Sequence, residues 1–93
     1  MTKPQGMKKI INKLWKEPPI LNVGKNGVNQ NFINEFIKQV KKNKVIKIKI
    51  LKSALNNENK EKILSDIASQ GNANCVEVRG NQAIFSKKSP EFV

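Results

Sequence analysis

A short apolar run leads into a glycine-framed turn at Ile20-Leu21-Asn22-Val23-Gly24-Lys25-Asn26-Gly27. The run is typical of a strand, and the residues after the turn have the spacing of an amphipathic helix. A strand, a G-x-x-G turn and a helix start direct backbone N–H groups at one point, where Gly24 and Gly27 allow a phosphate backbone to approach. The pattern favours an anion-binding loop, although two glycines at this spacing also occur in ordinary connections.

The charge of the chain favours a polyanionic partner. Its 93 residues carry 18 Lys and Arg against 7 Asp and Glu, a net charge of +11, and Arg79 is the only arginine. Lysine is a flexible point charge that suits phosphates, whereas reading of base edges relies more on the planar fork of arginine. Composition thus favours recognition of nucleic-acid backbone and shape; a solvated basic surface without such a partner is the alternative.

Two amphipathic helices flank the apolar run. The first is predicted over about residues 7–16, before Pro18-Pro19 end it, and its apolar face is Met7, Ile10, Ile11, Leu14 and Trp15. Its other face carries lysines that are either solvated or a basic flank to the binding surface: Lys8, Lys9, Lys13 and Lys16. The second is predicted from about Asn29 to Lys42, with Asn29 as N-cap and a hydrophobic staple of Val28 with Ile33.

The clearest strand is predicted from Val45 to Leu51, where Ile46, Ile48 and Ile50 alternate with Lys47 and Lys49. The isoleucines are expected in the core and both lysines on a wet, positive face. Lys47 and Lys49 are therefore candidates for nucleic-acid contact, with a plain solvent face of the sheet as the other interpretation.

The rest of the chain completes a mixed sheet. A polar stretch, Ser53 to Asn59, leads to a third helix with Gly71 as C-cap, and strands Cys75–Arg79 and Gln82–Lys87 flank a Gly80-Asn81 hairpin turn. The order αβαβαββ predicts an α/β fold, in which one compact domain over residues 1–93 has a four-stranded mixed sheet and helices mainly on one face. Its core is placed at about residues 7–88, with residues 1–6 and 89–93 frayed.

The sequence offers little for catalysis. It has no histidine, no tyrosine and one cysteine, and its carboxylates are scattered without an acid–base pair or an Asp-x-Asp pattern. We expect no enzyme activity, no cofactor and no metal site, and interpret Cys75 as a half-buried strand residue rather than a reactive thiol. Without a long apolar run or an evident signal peptide, the chain is expected to be a cytoplasmic protein without membrane contact.

Taken together, these features resemble the CRM domain, the chloroplast RNA splicing and ribosome maturation module whose stand-alone bacterial members are the YhbY proteins. The resemblance covers about residues 19–88. It is carried by Pro19 to Asn29, by the alternating strand Val45-Ile46-Lys47-Ile48-Lys49, and by Gly71, Val76, Val78 and Arg79-Gly80. Where the family often has a tyrosine and an arginine at the end of the last strand, this chain has Ser86-Lys87.

The resemblance implies an RNA-binding domain with a fold like the C-terminal domain of translation initiation factor three. The G-x-x-G loop of the family would correspond to Gly24, Lys25, Asn26 and Gly27 in this chain. The compact form is like that of the stand-alone members, which favours a monomeric factor in assembly of the large ribosomal subunit, with ribosomal RNA or a pre-ribosomal particle as partner. Two alternatives stay open: an Alba-like chromatin protein that coats DNA or RNA, and a ribosomal structural protein. The expected RNA-binding residues are Gly24, Lys25, Asn26, Gly27, Asn29, Lys47 and Lys49.

Overall fold

The computed structural model describes residues 5–56 and 58–87, without the side chains of residues 5–7. The described elements, in chain order, are helix α1 (Gln5–Lys16), strand β1 (Leu21–Val23), helix α2 (Gln30–Asn43), strand β2 (Val45–Ile50), the short helix α3 (Lys52–Leu55), helix α4 (Lys60–Gly71), strand β3 (Ala73–Arg79) and strand β4 (Gln82–Lys87). Helix α3 was not predicted, because four residues in a polar stretch are too few to show helical periodicity. Of the residues expected to fray, 1–4 and 89–93 lie outside the described residues, whereas Gln5 and Gly6 are helical.

The strands form one mixed sheet in the order β1-β2-β4-β3. Strands β1 and β2 are parallel and are joined by α2, whereas β2 with β4 and β3 with β4 are antiparallel. The predicted α/β class and four-stranded mixed sheet are therefore confirmed. Because β1 and β2 are parallel, both end at the same side of the sheet, where the backbone of Ile50 donates to the carbonyl of Asn81 in the β3–β4 turn (2.7 Å). We call this side, formed by Val23, Ile50 and the Gly80-Asn81 turn, the loop end of the sheet.

The main core lies between one face of the sheet and helices α2 and α4. Ile46, Ile48 and Ile50 of β2 point into it, as the alternating pattern predicts. Phe36 of α2 meets Phe85 of β4 edge to face, with ring centroids 5.4 Å apart. Other buried members are Val23, Val40, Ala54, Ile63, Ile67, Ala73 and Ala83.

Gly71 has a packing role instead of the predicted capping role. It is the last residue of α4, and a Cβ there would lie 2.4 Å from the Phe36 ring. The left-handed residue that ends the helix is Asn72 (φ 53°). The prediction of a glycine C-cap was therefore wrong by one position, because asparagine also tolerates the left-handed conformation.

Helix α1 lies on the opposite face of the sheet and corrects the expectation that this face is exposed. Ile11 is buried there with Val45 and Ile84, and Leu14, Trp15 and Val76 pack around them. The alternation in β2 shows one apolar face, but Val45 and Ile84 provide a second small apolar patch that α1 covers. Cys75 also differs from the prediction, since its side chain on β3 is exposed.

Candidate nucleic-acid interface

The G-x-x-G segment forms a tight turn directly after β1. The N–H of Gly27 donates to the carbonyl of Gly24 (2.9 Å), which places Lys25 and Asn26 at the exposed tip. Gly27 has a φ of 67°, a left-handed conformation that favours glycine. Gly24 has no such requirement, and a Cβ there would meet only Leu51 Cδ1 at 3.9 Å, an ordinary contact. The local fold therefore explains the second glycine and leaves the first without a structural reason.

Helix α2 begins immediately after this turn. The side chain of Asn29 accepts a hydrogen bond from the backbone N–H of Phe32 (2.8 Å), so the predicted N-cap is confirmed. Both Phe32 and Ile33 thus have partners at Asn29, and this residue acts mainly as a helix cap. The first turn of α2, which the structure describes completely, holds no acidic residue, whereas that of α4 holds Glu61. The positive end of the α2 dipole at the loop is therefore not neutralised within its own helix.

The two lysines of β2 have different environments. Lys47 is 4% exposed, and its ammonium group donates to the carbonyls of Trp15 (3.5 Å) and Glu17 at the end of α1. It also lies 5.6 Å from the centroid of the Trp15 ring. The expectation of a wet Lys47 was wrong, because α1 covers this part of the sheet. Lys47 is a buried cap for the C-terminal end of α1, and we remove it from the candidate interface.

Lys49 is exposed, as predicted. It lies beyond the part of the sheet that α1 covers, in a cross-strand row with Asn22 on β1, Gln82 on β4 and Arg79 on β3. Asn22 and Arg79 are exposed as well. The row is next to the loop end of the sheet, so the structure brings Lys49 to the same side as Gly24, Lys25, Asn26 and Gly27.

Arg79 was not proposed as an interface residue from the sequence. Its guanidinium carbon lies 4.8 Å from the centroid of the Trp15 ring, and its Nη2 lies 3.8 Å from Glu77 Oε1. The same Glu77 oxygen accepts a hydrogen bond from Trp15 Nε1 (2.6 Å). That Arg79 is the only arginine was a usable signal, but its contact with a helix more than sixty residues earlier in the chain requires the tertiary structure.

The described residues hold no group of three or more His, Cys, Asp and Glu side chains that could ligate a metal ion. Although Cys75 is exposed at the surface of β3, desolvation by neighbouring atoms raises the pKa of its thiol, which disfavours the reactive thiolate. Among the described residues there is no helix with the length and apolar character that crossing a membrane requires. The exposed residues at and beside the loop end include the polar or basic Asn22, Lys25, Asn26, Lys49 and Arg79.

Comparison with protein families identifies the chain. Residues 3–87 match the CRS1/YhbY (CRM) domain. The chain belongs to the CRM domain family. CRM domains are RNA-binding domains rather than enzymes, and the match includes α1, which the resemblance over residues 19–88 had left out.

The fold of this CRM domain agrees with a solved structure of low sequence identity. The solution structure of the hypothetical Staphylococcus aureus protein SAV1595, which is described as a candidate RNA-binding protein, superposes with a TM-score of 0.70. The two sequences are 19% identical, and the superposition covers 96% of this chain and 91% of the other. At this identity the similarity supports the fold alone. No curated protein matches the sequence significantly.

Proposed function

We propose that this CRM domain binds structured RNA through the G-x-x-G turn, the start of α2 and the basic residues around them. The observation that carries the proposal is the placement of the exposed tip, Lys25 and Asn26, beside a helix N-terminus without acidic residues in its first turn. Phosphate oxygens at this position would interact favourably with the helix dipole and with nearby ammonium groups. Family membership and the net charge of +11 support the same partner.

The first glycine adds a geometric argument. Neither backbone conformation nor packing requires a glycine at position 24, because a Cβ there would make only an ordinary contact with Leu51. Close approach of an RNA backbone would explain why this position is a glycine. A substitution at Gly24 is therefore expected to weaken RNA binding with little effect on the stability of the fold.

The biological role that we propose is non-catalytic assistance in assembly of the large ribosomal subunit in the cytoplasm. Membership of an RNA-binding family supports an RNA-binding factor, and we propose that it acts as a monomer. The protein would then be retained on precursor particles and leave labelled ribosomal RNA uncut in magnesium. Stable association with mature subunits would instead indicate a ribosomal structural protein. Membership of the CRM family favours this role over the Alba-like alternative, which a preference for duplex DNA together with a dimer in solution would support.

The proposal is tested with two double variants that carry the same substitutions. K25D/N26D places carboxylates at the tip of the turn, and K42D/N43D makes the identical change at the far end of α2. Lys42 lies about 18 Å along the helix axis from the first residue of α2, at 1.5 Å per residue. Both variants change the net charge equally, so any difference in RNA affinity reports position rather than total charge.

We expect K25D/N26D to lose affinity for structured RNA by about tenfold or more, as a loss of about 1–3 kcal/mol per charge-assisted contact implies. The K42D/N43D control should lose much less at moderate salt, and thermal melting should show that both proteins are folded. For the wild type, the logarithm of affinity should fall linearly with the logarithm of salt concentration. Equal losses in the two double variants, or a flat salt titration, would contradict the proposal.

A further inference from the structure

We propose that the sheet surface containing Lys49 and Arg79 is a second RNA contact, so that the strand bound at the G-x-x-G turn continues across the sheet. This inference rests on the proposed function and extends the site from one turn to a path across the strands. It assigns a binding role to Arg79 and a positioning role to Trp15, the residue of α1 on which Arg79 lies.

The strand register defines the path. Asn22 pairs with Lys49, Lys49 pairs with Gln82, and Gln82 pairs with Arg79. Neighbouring strands are spaced by about 4.8 Å, and β4 lies between β2 and β3, so the backbones at Lys49 and Arg79 are about 10 Å apart. Asn22 lies one strand beyond Lys49, on β1. Asn22 is also two residues before Gly24, so the row begins next to the turn. A polyanion that contacts the turn can therefore reach both cations without leaving this side of the molecule.

Helix α1 buries the neighbouring row, whereas in this row Lys49 and Arg79 stay exposed and Gln82 between them is half-buried. In the neighbouring row, Lys47 and Ile84 are 4% and 0% exposed because the end of α1 packs over them. One row further toward the loop end, Lys49 and Arg79 are exposed. The α1 face of the sheet thus has a covered part that stabilises the fold and an open part that carries positive charge.

Arg79 is held in place without being buried. Its guanidinium lies over Trp15 and near Glu77, while 63% of its side chain remains exposed. Glu77 is itself fixed by the hydrogen bond from Trp15 Nε1. These contacts restrict the rotamers of Arg79 before binding, which lowers the entropy cost of forming a contact with RNA. Glu77 offsets part of the positive charge, but a guanidinium has five N–H donors and keeps several for a phosphate or a base.

The test uses single neutral substitutions and a matched control. K49Q and R79Q each remove one positive charge from the proposed path, and K42Q removes one from an exposed lysine at the far end of α2. Loss of a phosphate contact should reduce affinity about five- to tenfold and lower the slope of log affinity against log salt by about 0.7–1. K42Q should change neither quantity by a comparable amount. R79K keeps the charge and should recover most of the salt slope.

Trp15 gives an independent readout, because it is the only tryptophan and contacts Arg79. Titration of the wild type with RNA should change Trp15 fluorescence, and the change should be much smaller in R79Q at saturating RNA. If K49Q and R79Q match K42Q while K25D/N26D still loses affinity, the second contact is wrong and the proposed function stands. If K25D/N26D matches K42D/N43D, the proposed loop site fails, whatever the result for Lys49 and Arg79.

Discussion

Lys47 and Lys49 have nearly identical sequence neighbours, yet the structure predicts that replacing them has opposite effects. In Lys47→Met the aliphatic stem is retained and the ammonium group is lost. That group donates to the carbonyls of Trp15 and Glu17, which lie at the C-terminal end of α1. Without it, those carbonyls lose a donor and the negative end of the helix dipole loses a counter-charge. We therefore expect Lys47→Met to loosen the attachment of α1.

The magnitude follows from two opposing contributions. A hydrogen bond that involves a charged group contributes about 1.5–3 kcal/mol to stability, and the 3.5 Å contact with Trp15 adds little because it is long. Met in turn avoids the cost of desolvating an ammonium group. The lost bond should dominate because the carbonyls at the end of α1 lose a charged donor, so a net loss of about 1–2 kcal/mol is expected. For a domain of this size, that corresponds to a fall in melting temperature of about 5–15 °C.

The assay is thermal and urea unfolding followed by circular dichroism, with RNA affinity measured where both variants are folded. Lys49→Met is the control, and its stability should stay within about 0.5 kcal/mol of wild type because Lys49 is exposed. Lys49→Met should reduce RNA affinity about five- to tenfold because it removes an exposed charge from the proposed path, whereas Lys47→Met should reduce it less, and only as far as Trp15 shifts away from Arg79. An unchanged melting temperature in Lys47→Met would refute the capping role of Lys47. If Lys47→Met lost as much RNA affinity as Lys49→Met, the conclusion that Lys47 is buried and does not contact RNA would be refuted.

The glycines provide three further predictions. Gly24→Ala should weaken RNA binding but leave the melting temperature nearly unchanged, because its Cβ would make only an ordinary contact with Leu51 at 3.9 Å. Gly27→Ala should lower the free energy of unfolding by about 1 kcal/mol, because its φ is 67°. Full RNA affinity in a stable Gly24→Ala protein would show that no backbone approaches there. Gly71→Ala should destabilise the protein by about 1–3 kcal/mol in urea unfolding, because the added Cβ would lie 2.4 Å from the Phe36 ring. An unchanged stability would mean that α4 shifts freely away from Phe36, and RNA affinity of the folded variant should be normal.

The features that depend on neighbouring residues were predictable from the sequence. The cap at Asn29 needs only a side-chain oxygen three residues before a free N–H, and the Gly80-Asn81 turn needs only two short strands beside it. The alternation of Ile46, Ile48 and Ile50 likewise placed β2 and its core face correctly. The G-x-x-G turn belongs to this group, because strand, turn and helix are contiguous in the chain.

The tertiary structure decided which of the equivalent residues are accessible. Lys47 and Lys49 have the same local pattern, and only the position of the end of α1, thirty residues earlier, buries one and leaves the other exposed. The side on which α1 packs could not be predicted, because its single apolar face fits either side of a sheet. Arg79 is positioned by Trp15, which is distant in sequence and adjacent only after folding. The sequence determined the longer elements and the sign of the charge, whereas packing between distant elements determined which of the charged side chains are exposed.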